Sequence, residues 1–195
     1  MQKNDLLLLF IAYLIGSFPT AYIFSRLFYR RDIRKAGTGN VGTLNFLRTS
    51  GSRLLSALVL LIDLGKGFLA LYLAEKYFVG QATFFWPAVG VVGGHVFPIW
   101  LKGRGGRGLA TLAGVALFLQ PILIPAFLLF FLFFWFILKK YITAGILALI
   151  CVNIVVLIWL PIALVKIIIG CSLIVLYKYL PRLNDEWGIG KQKGV

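Results

Sequence analysis

Histidine, cysteine and charge are all scarce in this chain of 195 residues. His95 is its one histidine, which excludes a metal site built from several imidazoles. Cys151 and Cys171 both lie inside apolar runs, a setting for neither a disulfide nor a reactive thiolate. Charged residues make up only 13%, against about 25% in a soluble domain. No low-complexity linker and no internal repeat divides the chain, and no positioned Ser-His-Asp or Cys-His set is evident. What the chain has in abundance is apolar: 61% hydrophobic residues, 17 of them Phe. That excess belongs against lipid, so the reading is a single integral membrane domain over residues 1–195, all-α, with no room for a separate soluble module.

A helix crosses a bilayer with about 20 apolar residues, range about 17–25. Seven segments qualify: Leu6 to Leu27, Leu54 to Leu73, Phe84 to Leu101, Leu109 to Leu119, Pro121 to Leu138, Ile142 to Leu160 and Pro161 to Leu176. The first lacks a small-x-small cleavage site and reads as a retained span rather than a signal peptide. Leu109 to Leu138 taken as one helix would run about 45 Å, too long for a core of about 30 Å. Pro121 therefore separates two spans, and Pro161 does the same for the last pair.

The basic residues fit this count. Arg26, Arg30, Arg31, Arg34, Lys35, Arg48 and Arg53 follow the first span. Lys102, Arg104 and Arg107 follow the third, Lys139 and Lys140 the fifth, and Lys178, Arg182, Lys191 and Lys193 the seventh. The connections at Glu75 to Thr83, Gln120 and Pro161 hold only Lys76. Alternation of this kind predicts seven transmembrane helices, with the N-terminus outside and the C-terminus cytoplasmic. The net charge of +14 is then a topological signal, and nucleic acid is not a partner, since no basic face forms on a soluble fold. Trp86, Trp100, Tyr141, Tyr177, Tyr179 and Trp187 read as interfacial anchors. Lys166 reads as a snorkelling side chain without a role.

Three glycine-rich basic stretches break the apolar pattern. In Lys102 to Gly108 (KGRGGRG), glycines let main-chain N–H groups approach an anion. A helix N-terminus follows directly, and Arg104 and Arg107 are able to grip phosphate in a bidentate manner. The Gly-Lys-Ser/Thr ending of a nucleotide loop is missing. In Gly37 to Gly42 (GTGNVG) with Asn45 and Arg48, polar side chains alternate with glycines, and Leu44 and Phe46 would pin the loop to the bilayer. Capping by Thr38 or Asn40 would explain part of this pattern, while Asn45 and Arg48, three apart on a helix, would serve one ligand. Asp63 and Lys66 interrupt the second span at i, i+3, a spacing that suits an intramembrane ion pair or a substrate contact. Gly65 and Gly67 beside them permit close approach of a helix or a ligand. His95 lies seven residues before Lys102 and suits a general base, a phosphate contact or a helix-to-helix hydrogen bond. No acid follows it within five positions, so the His-x4-Asp acyltransferase signature is absent.

Taken together, Gly37 to Arg48, Asp63 to Gly67 and Gly94 to Thr111 resemble the bacterial acyl-phosphate-dependent glycerol-3-phosphate acyltransferases, the PlsY family. Gly16-Ser17-Phe18-Pro19 is similar to the end of that family's first span. The order and spacing of the motifs agree over most of the chain. Thr38 stands where the family has serine, Thr43-Leu44 where it has Ala-Thr, and Arg104 and Arg107 where it has lysines. The family's tail motif, approximately Arg-His-x-x-Asn-Ile-x-Arg, is replaced here by Lys178-Tyr-Leu-Pro-Arg-Leu-Asn184, the mark of a divergent member.

The resemblance implies transfer of a fatty acyl group from acyl phosphate to the sn-1 hydroxyl of glycerol 3-phosphate. It implies a bacterial inner-membrane enzyme facing the cytoplasm, without cofactor or metal, with those two substrates and membrane lipids as its partners. The residues it assigns are His95, Thr38 and Arg48 for catalysis. For substrate and phosphate binding it assigns Ser17, Asn40, Asn45, Asp63, Lys66, Lys102, Arg104, Gly105, Gly106 and Arg107. The rival is a non-enzymatic carrier or scaffold for phosphorylated solutes or lipids. A carrier would show broken spans in matching halves, and Gln120-Pro121 and Pro161 do not match in that way.

Overall fold

A computed structural model of the chain describes residues 3–77 and 84–187. The connection expected at Glu75 to Thr83 lies in part outside the described residues, as do Lys191 and Lys193 of the tail. Every element described is helical. The first expected span is two helices, α1 (Lys3–Ser17) and α2 (Thr20–Tyr29). Pro19 has no N–H to continue the ladder, and the chain closes α1 with a single tighter bond, Phe18 N–H to Ile15 O at 3.4 Å.

A 3-10 turn at Ile33–Lys35 and a short helix, α3 (Thr43–Ser50), follow. The turn is capped by Asp32, whose carboxylate accepts from the Arg34 N–H and pairs with the Arg34 guanidinium at 2.8 Å. That pairing draws the Asp32 carboxyl down to about 2. Of α3's apolar side chains, Leu44 faces out and Leu47 is half-buried. Phe46 faces in, fully buried, edge-on to Phe24 and Tyr29. This corrects the expectation that Leu44 and Phe46 would both pin the loop to lipid: eight residues make only two turns, and the buried face is the one against α2 and α4.

The remaining helices are α4 (Arg53–Tyr77), α5 (Phe85–Val96), α6 (Leu109–Leu119), α7 (Leu123–Leu138), α8 (Tyr141–Trp159) and α9 (Ile162–Trp187). Breaks fall at Pro121 and Pro161 as expected. Pro181 does not end α9, which runs eleven residues beyond the expected boundary at Leu176. Four stretches are long and apolar enough to cross a membrane: Asp5–Tyr29, Arg53–Tyr77, Tyr141–Trp159 and Ile162–Leu183. The helical stretches Phe85–Leu101, Leu109–Leu119 and Leu123–Leu138 are apolar but shorter. With its 11 residues, α6 covers only about 16 Å. The chain is an integral membrane protein. Leu129, Phe133 and Phe136 of α7, each more than half exposed, suit the lipid.

Lipid offers apolar helices no hydrophobic reason to associate, so packing must come from close backbone approach. Two seams achieve it. Between α1 and α5, a Cβ on Gly94 would lie 2.2 Å from Tyr13 O, and one on Gly16 would lie 2.0 Å from Val91 O. Between α4 and α6, Gly114 faces Leu64 O at 1.9 Å and Gly67 faces Thr111 O at 2.1 Å by the same measure. Gly67 therefore serves helix contact, whereas Gly65 has nothing within 4 Å. Buried Leu71, Val91, Val92 and Val115 fill the core beside these seams.

Gly114→Ala should force α4 and α6 apart and cost about 1–3 kcal/mol, the range for overpacking. Gly65→Ala should be neutral or stabilising by up to about 1 kcal/mol through helix propensity. Thermal melts of the detergent-solubilised variants distinguish these outcomes, and equal melting temperatures would contradict the seam.

Candidate active site

The two glycine loops, the start of α3 and residues along α4, α6, α7, α8 and α9 enclose a cavity of about 380 Å³. Its wall has two characters. Asn40, Gly42 and Thr43 before and within α3, Asp63 of α4, His95 of α5, and Arg107, Tyr141 and Tyr179 form the polar part. Leu112 and Ala116 of α6, Phe127 and Phe131 of α7, and Leu149 and Val152 of α8 form an apolar body. Asp63 and His95 also line an adjoining void of about 10 Å³, with Ser17, Lys66, Gly105 and Gly106 around it.

Asp63 and Lys66 pair at 2.9 Å, both almost fully buried. The same Asp63 oxygen accepts from Thr20 Oγ1 at 3.0 Å and lies 3.8 Å from His95 Nδ1. The Lys66 ammonium also donates to Phe18 O at 3.1 Å, at the break between α1 and α2. Lys66 does not line the large cavity. The i, i+3 spacing does form the ion pair.

The glycine loop after α5 corrects a physical premise. Its glycines were read as freeing main-chain amides for an anion. Gly105 N–H instead donates to Val96 O, and Gly106 N–H to His95 O, folding the loop back over the end of α5. A Cβ on Gly105 would meet His95 O at 2.1 Å, and one on Gly106 would meet the His95 ring at 2.1 Å. These residues are glycines because the loop rests on the helix end. Lys102 and Arg104 sit on its outward swing, exposed and outside the cavity wall. Lys102 adopts φ +53° and bonds back to Ile99 O, which turns its side chain away. Of the three cations in this loop, Arg107 alone reaches the cavity.

Asn45 also departs from the expected direct contact. It is buried, its Oδ1 accepts from Thr38 N–H at 2.8 Å, and its NH2 faces Ile33 O, Ala36 O and Asn40 O. It shapes the Gly37 to Gly42 loop and does not line the cavity. Thr38 does not line the cavity, and Asn40 does. Arg48 is exposed and reaches the mouth through Tyr141: Arg48 Nη1 lies 3.4 Å from the phenol oxygen, with its guanidinium 5.0 Å from the ring centre.

Arg107 comes to the same ring from the opposite loop at 5.9 Å, and to Tyr179 at 5.0 Å. Tyr141 and Tyr179 were read as interfacial anchors; both line the cavity, where Tyr141 bridges the two arginines and Tyr179 meets Arg107 alone. Thr43 was overlooked as well, and its Oγ1 is buried at the cavity wall without a hydrogen-bond partner among the described residues. The first turn of α6 opens beside Arg107 at Leu109 and Ala110, where helical N–H groups lack intrahelical partners. Among the described residues, no group of three His, Cys, Asp or Glu side chains converges on one point.

One mouth thus carries two guanidiniums, a helix N-terminus and polar side chains above an apolar body, a shape suited to an amphiphile with an anionic head. The family model described as glycerol-3-phosphate acyltransferase matches residues 6–185. The chain belongs to the glycerol-3-phosphate acyltransferase family. A curated family protein of Erythrobacter litoralis is 47% identical over 105 residues, covering 54% of this chain and 52% of that one. One of Syntrophomonas wolfei is 42% identical over 132 residues, covering 68% and 66%. The chain thus aligns with about half to two thirds of the length of these relatives. Similarity extends further in structure. The glycerol 3-phosphate form of PlsY (YgiH), an integral membrane glycerol 3-phosphate acyltransferase, superposes with a TM-score of 0.84 at 25% identity, over 98% of this chain and 96% of that one. Its lysophosphatidic acid form gives 0.80 at 26%, over 93% and 92%.

Lys66→Met leaves Asp63 buried without its partner and should cost about 3–5 kcal/mol. Asp63→Asn combined with Lys66→Met should recover part of that loss, because no uncompensated charge remains. A double variant no more stable than the Lys66 single variant, in thermal melts, would show that the pair is not the structural element inferred from its distances.

Proposed function

We propose that the protein transfers a fatty acyl group from acyl phosphate to the sn-1 hydroxyl of glycerol 3-phosphate, yielding lysophosphatidic acid and inorganic phosphate for phospholipid synthesis. Family membership supports this reading. The single observation that carries it is the joining of a cationic mouth to an apolar body in one cavity. The acyl chain lies in the apolar body. The phosphoryl groups lie at the mouth, against Arg107, Arg48 and the first turn of α6.

Both reactants are anions, so the first task of the site is to offset their repulsion while holding the reacting atoms in line. The glycerol 3-phosphate hydroxyl oxygen attacks the acyl carbonyl carbon. The carbon–oxygen bond to phosphate breaks, and phosphate leaves with the electron pair. The hydroxyl proton passes to a phosphate oxygen, with His95 at the cavity wall as the other acceptor within the site. Because the leaving group is already activated, no protein nucleophile is demanded. Asn40 and the Thr43 hydroxyl are placed to donate to the carbonyl oxygen or to a phosphate.

The three shorter apolar helices complete seven spans in this reading. The outside N-terminus and cytoplasmic tail follow from the basic connections. The mouth then faces the cytoplasm of a bacterial cell at its inner membrane, and residues 1–195 form one domain.

Purified protein incubated with palmitoyl phosphate and labelled glycerol 3-phosphate should release phosphate and form labelled lysophosphatidic acid. Arg48→Ala and Arg107→Ala should each lower turnover by about 10²–10³, the loss seen when one donor to a developing anion is removed. Accumulation of label in liposomes with no acylated product would establish a carrier instead.

A further inference from the structure

The tail of α9 returns to the start of α8. The Glu186 carboxylate accepts from Ile142 N–H at 2.9 Å, and from the Thr143 N–H and hydroxyl at 2.8 and 2.7 Å. The Trp187 indole N–H donates to Thr143 Oγ1 at 2.9 Å, and the Lys140 ammonium sits 3.0 Å from the Trp187 ring centre. One side chain from a distant helix end thus answers two of the orphan amides that open α8, and its charge suits that end of the helix dipole. Tyr141 lies between Lys140 and Ile142, so the clasp grips the Lys140 side chain on one side of it and the Ile142 and Thr143 amides on the other. The turn needs holding, since Lys139 enters it at φ +53° and Lys140 is extended.

Tyr141 in turn stands between Arg48 and Arg107. Two guanidiniums, one brought from α3 and one from the loop before α6, repel each other, and the face of one phenol ring attracts both. Its hydroxyl can accept from Arg48 while the mouth is empty and donate to a phosphate oxygen once an anion draws the guanidiniums away.

We propose that Tyr141 contacts the phosphoryl group held by Arg48 and Arg107, and that Glu186 is a positioning residue that sets Tyr141 there from the C-terminal end of the chain. This rests on the acyltransferase reading above. It gives the C-terminal turn of α9 a part in substrate binding through a capping carboxylate, and it makes α8 a contributor to the anion site.

The test uses the full chain in lipid nanodiscs, with KM measured separately for acyl phosphate and for glycerol 3-phosphate. Tyr141→Phe should raise KM for one of the two by roughly tenfold, the scale of one hydrogen bond to a charged group, with kcat changed less than about twofold. The substrate affected identifies which phosphoryl group sits at the phenol. Glu186→Ala should raise the same KM by a similar factor, and the double variant should be no worse than the poorer single one. Thr143→Val removes only the shared hydroxyl and carries the same measurement if Glu186→Ala does not fold. Unchanged KM for both substrates in Tyr141→Phe overturns the contact. An additive double variant, or a lowered melting temperature with unchanged KM in Glu186→Ala, overturns the positioning role. Wild-type protein without turnover removes the acyltransferase reading itself, an outcome separate from these.

Discussion

The ion pair of Asp63 and Lys66 is where the folded chain is fastened together. Two charges inside a membrane helix are costly unless each is answered, and here the answers come from three other elements. Thr20 and the Phe18 carbonyl, on either side of the Pro19 break, bond to the two partners, so the pair closes the gap that proline opens between α1 and α2. His95 approaches the same carboxylate from α5. The loop carrying Arg107 then lies on His95, near enough that Gly106 has no space for a Cβ. The position of the cavity's own cation is thereby inherited, through one imidazole and two glycines, from a buried ion pair.

A second constraint is the absence of side chains where backbones meet. Gly94 against Tyr13 O and Gly114 against Leu64 O bring helices together at distances that no other residue allows. Gly105 and Gly106 do the same for a loop and a helix end. Because their amides are already bonded to Val96 O and His95 O, anion binding falls to the guanidiniums and the start of α6. The site is therefore built more from side-chain charge and helix dipole than from a nest of free amides. Its specificity should then depend more on arginine geometry than on main-chain shape.

Much of the fold was legible because its signals are local. Proline at 121 and 161 stops a helix whatever surrounds it, and Asp63 and Lys66 share a helix face by spacing alone. The motifs that bring Asn40, His95 and Arg107 to one cavity were also visible as residue types. What escaped depended on partners distant in sequence. Asn45 carried the marks of a ligand-binding amide, yet its bonds go to carbonyls folded back around it. Phe46 and Leu44 are indistinguishable as apolar residues until α2 covers one of them. Tyr141 and Tyr179 sit at helix ends, where aromatic residues ordinarily mark a membrane interface. Only the meeting of α8 and α9 with the two loops turns them inward. Glycine was ambiguous in another way: the same residue serves an anion nest and a close contact, and composition does not separate the two.

The departures from the PlsY family motifs are physically connected. Arginine replaces lysine at 107, and two tyrosines stand within 6 Å of that guanidinium. A guanidinium is planar, weakly hydrated and able to stack on an aromatic face while its edge still donates to phosphate, whereas an ammonium is a compact, strongly hydrated charge. Arg107 between Tyr141 and Tyr179 therefore uses properties that lysine lacks. The tail differs in the same region. Where the family resemblance calls for histidine and asparagine, α9 supplies Tyr179 to the cavity wall and, one turn past Pro181, Glu186 to the end of α8. A tail that gives up an imidazole and gains a phenol beside an arginine has exchanged a titratable group for one that stays neutral at physiological pH. Such a site favours holding the anion by fixed charge over moving its proton, which agrees with the proposed reaction, in which the leaving phosphate takes up the proton itself.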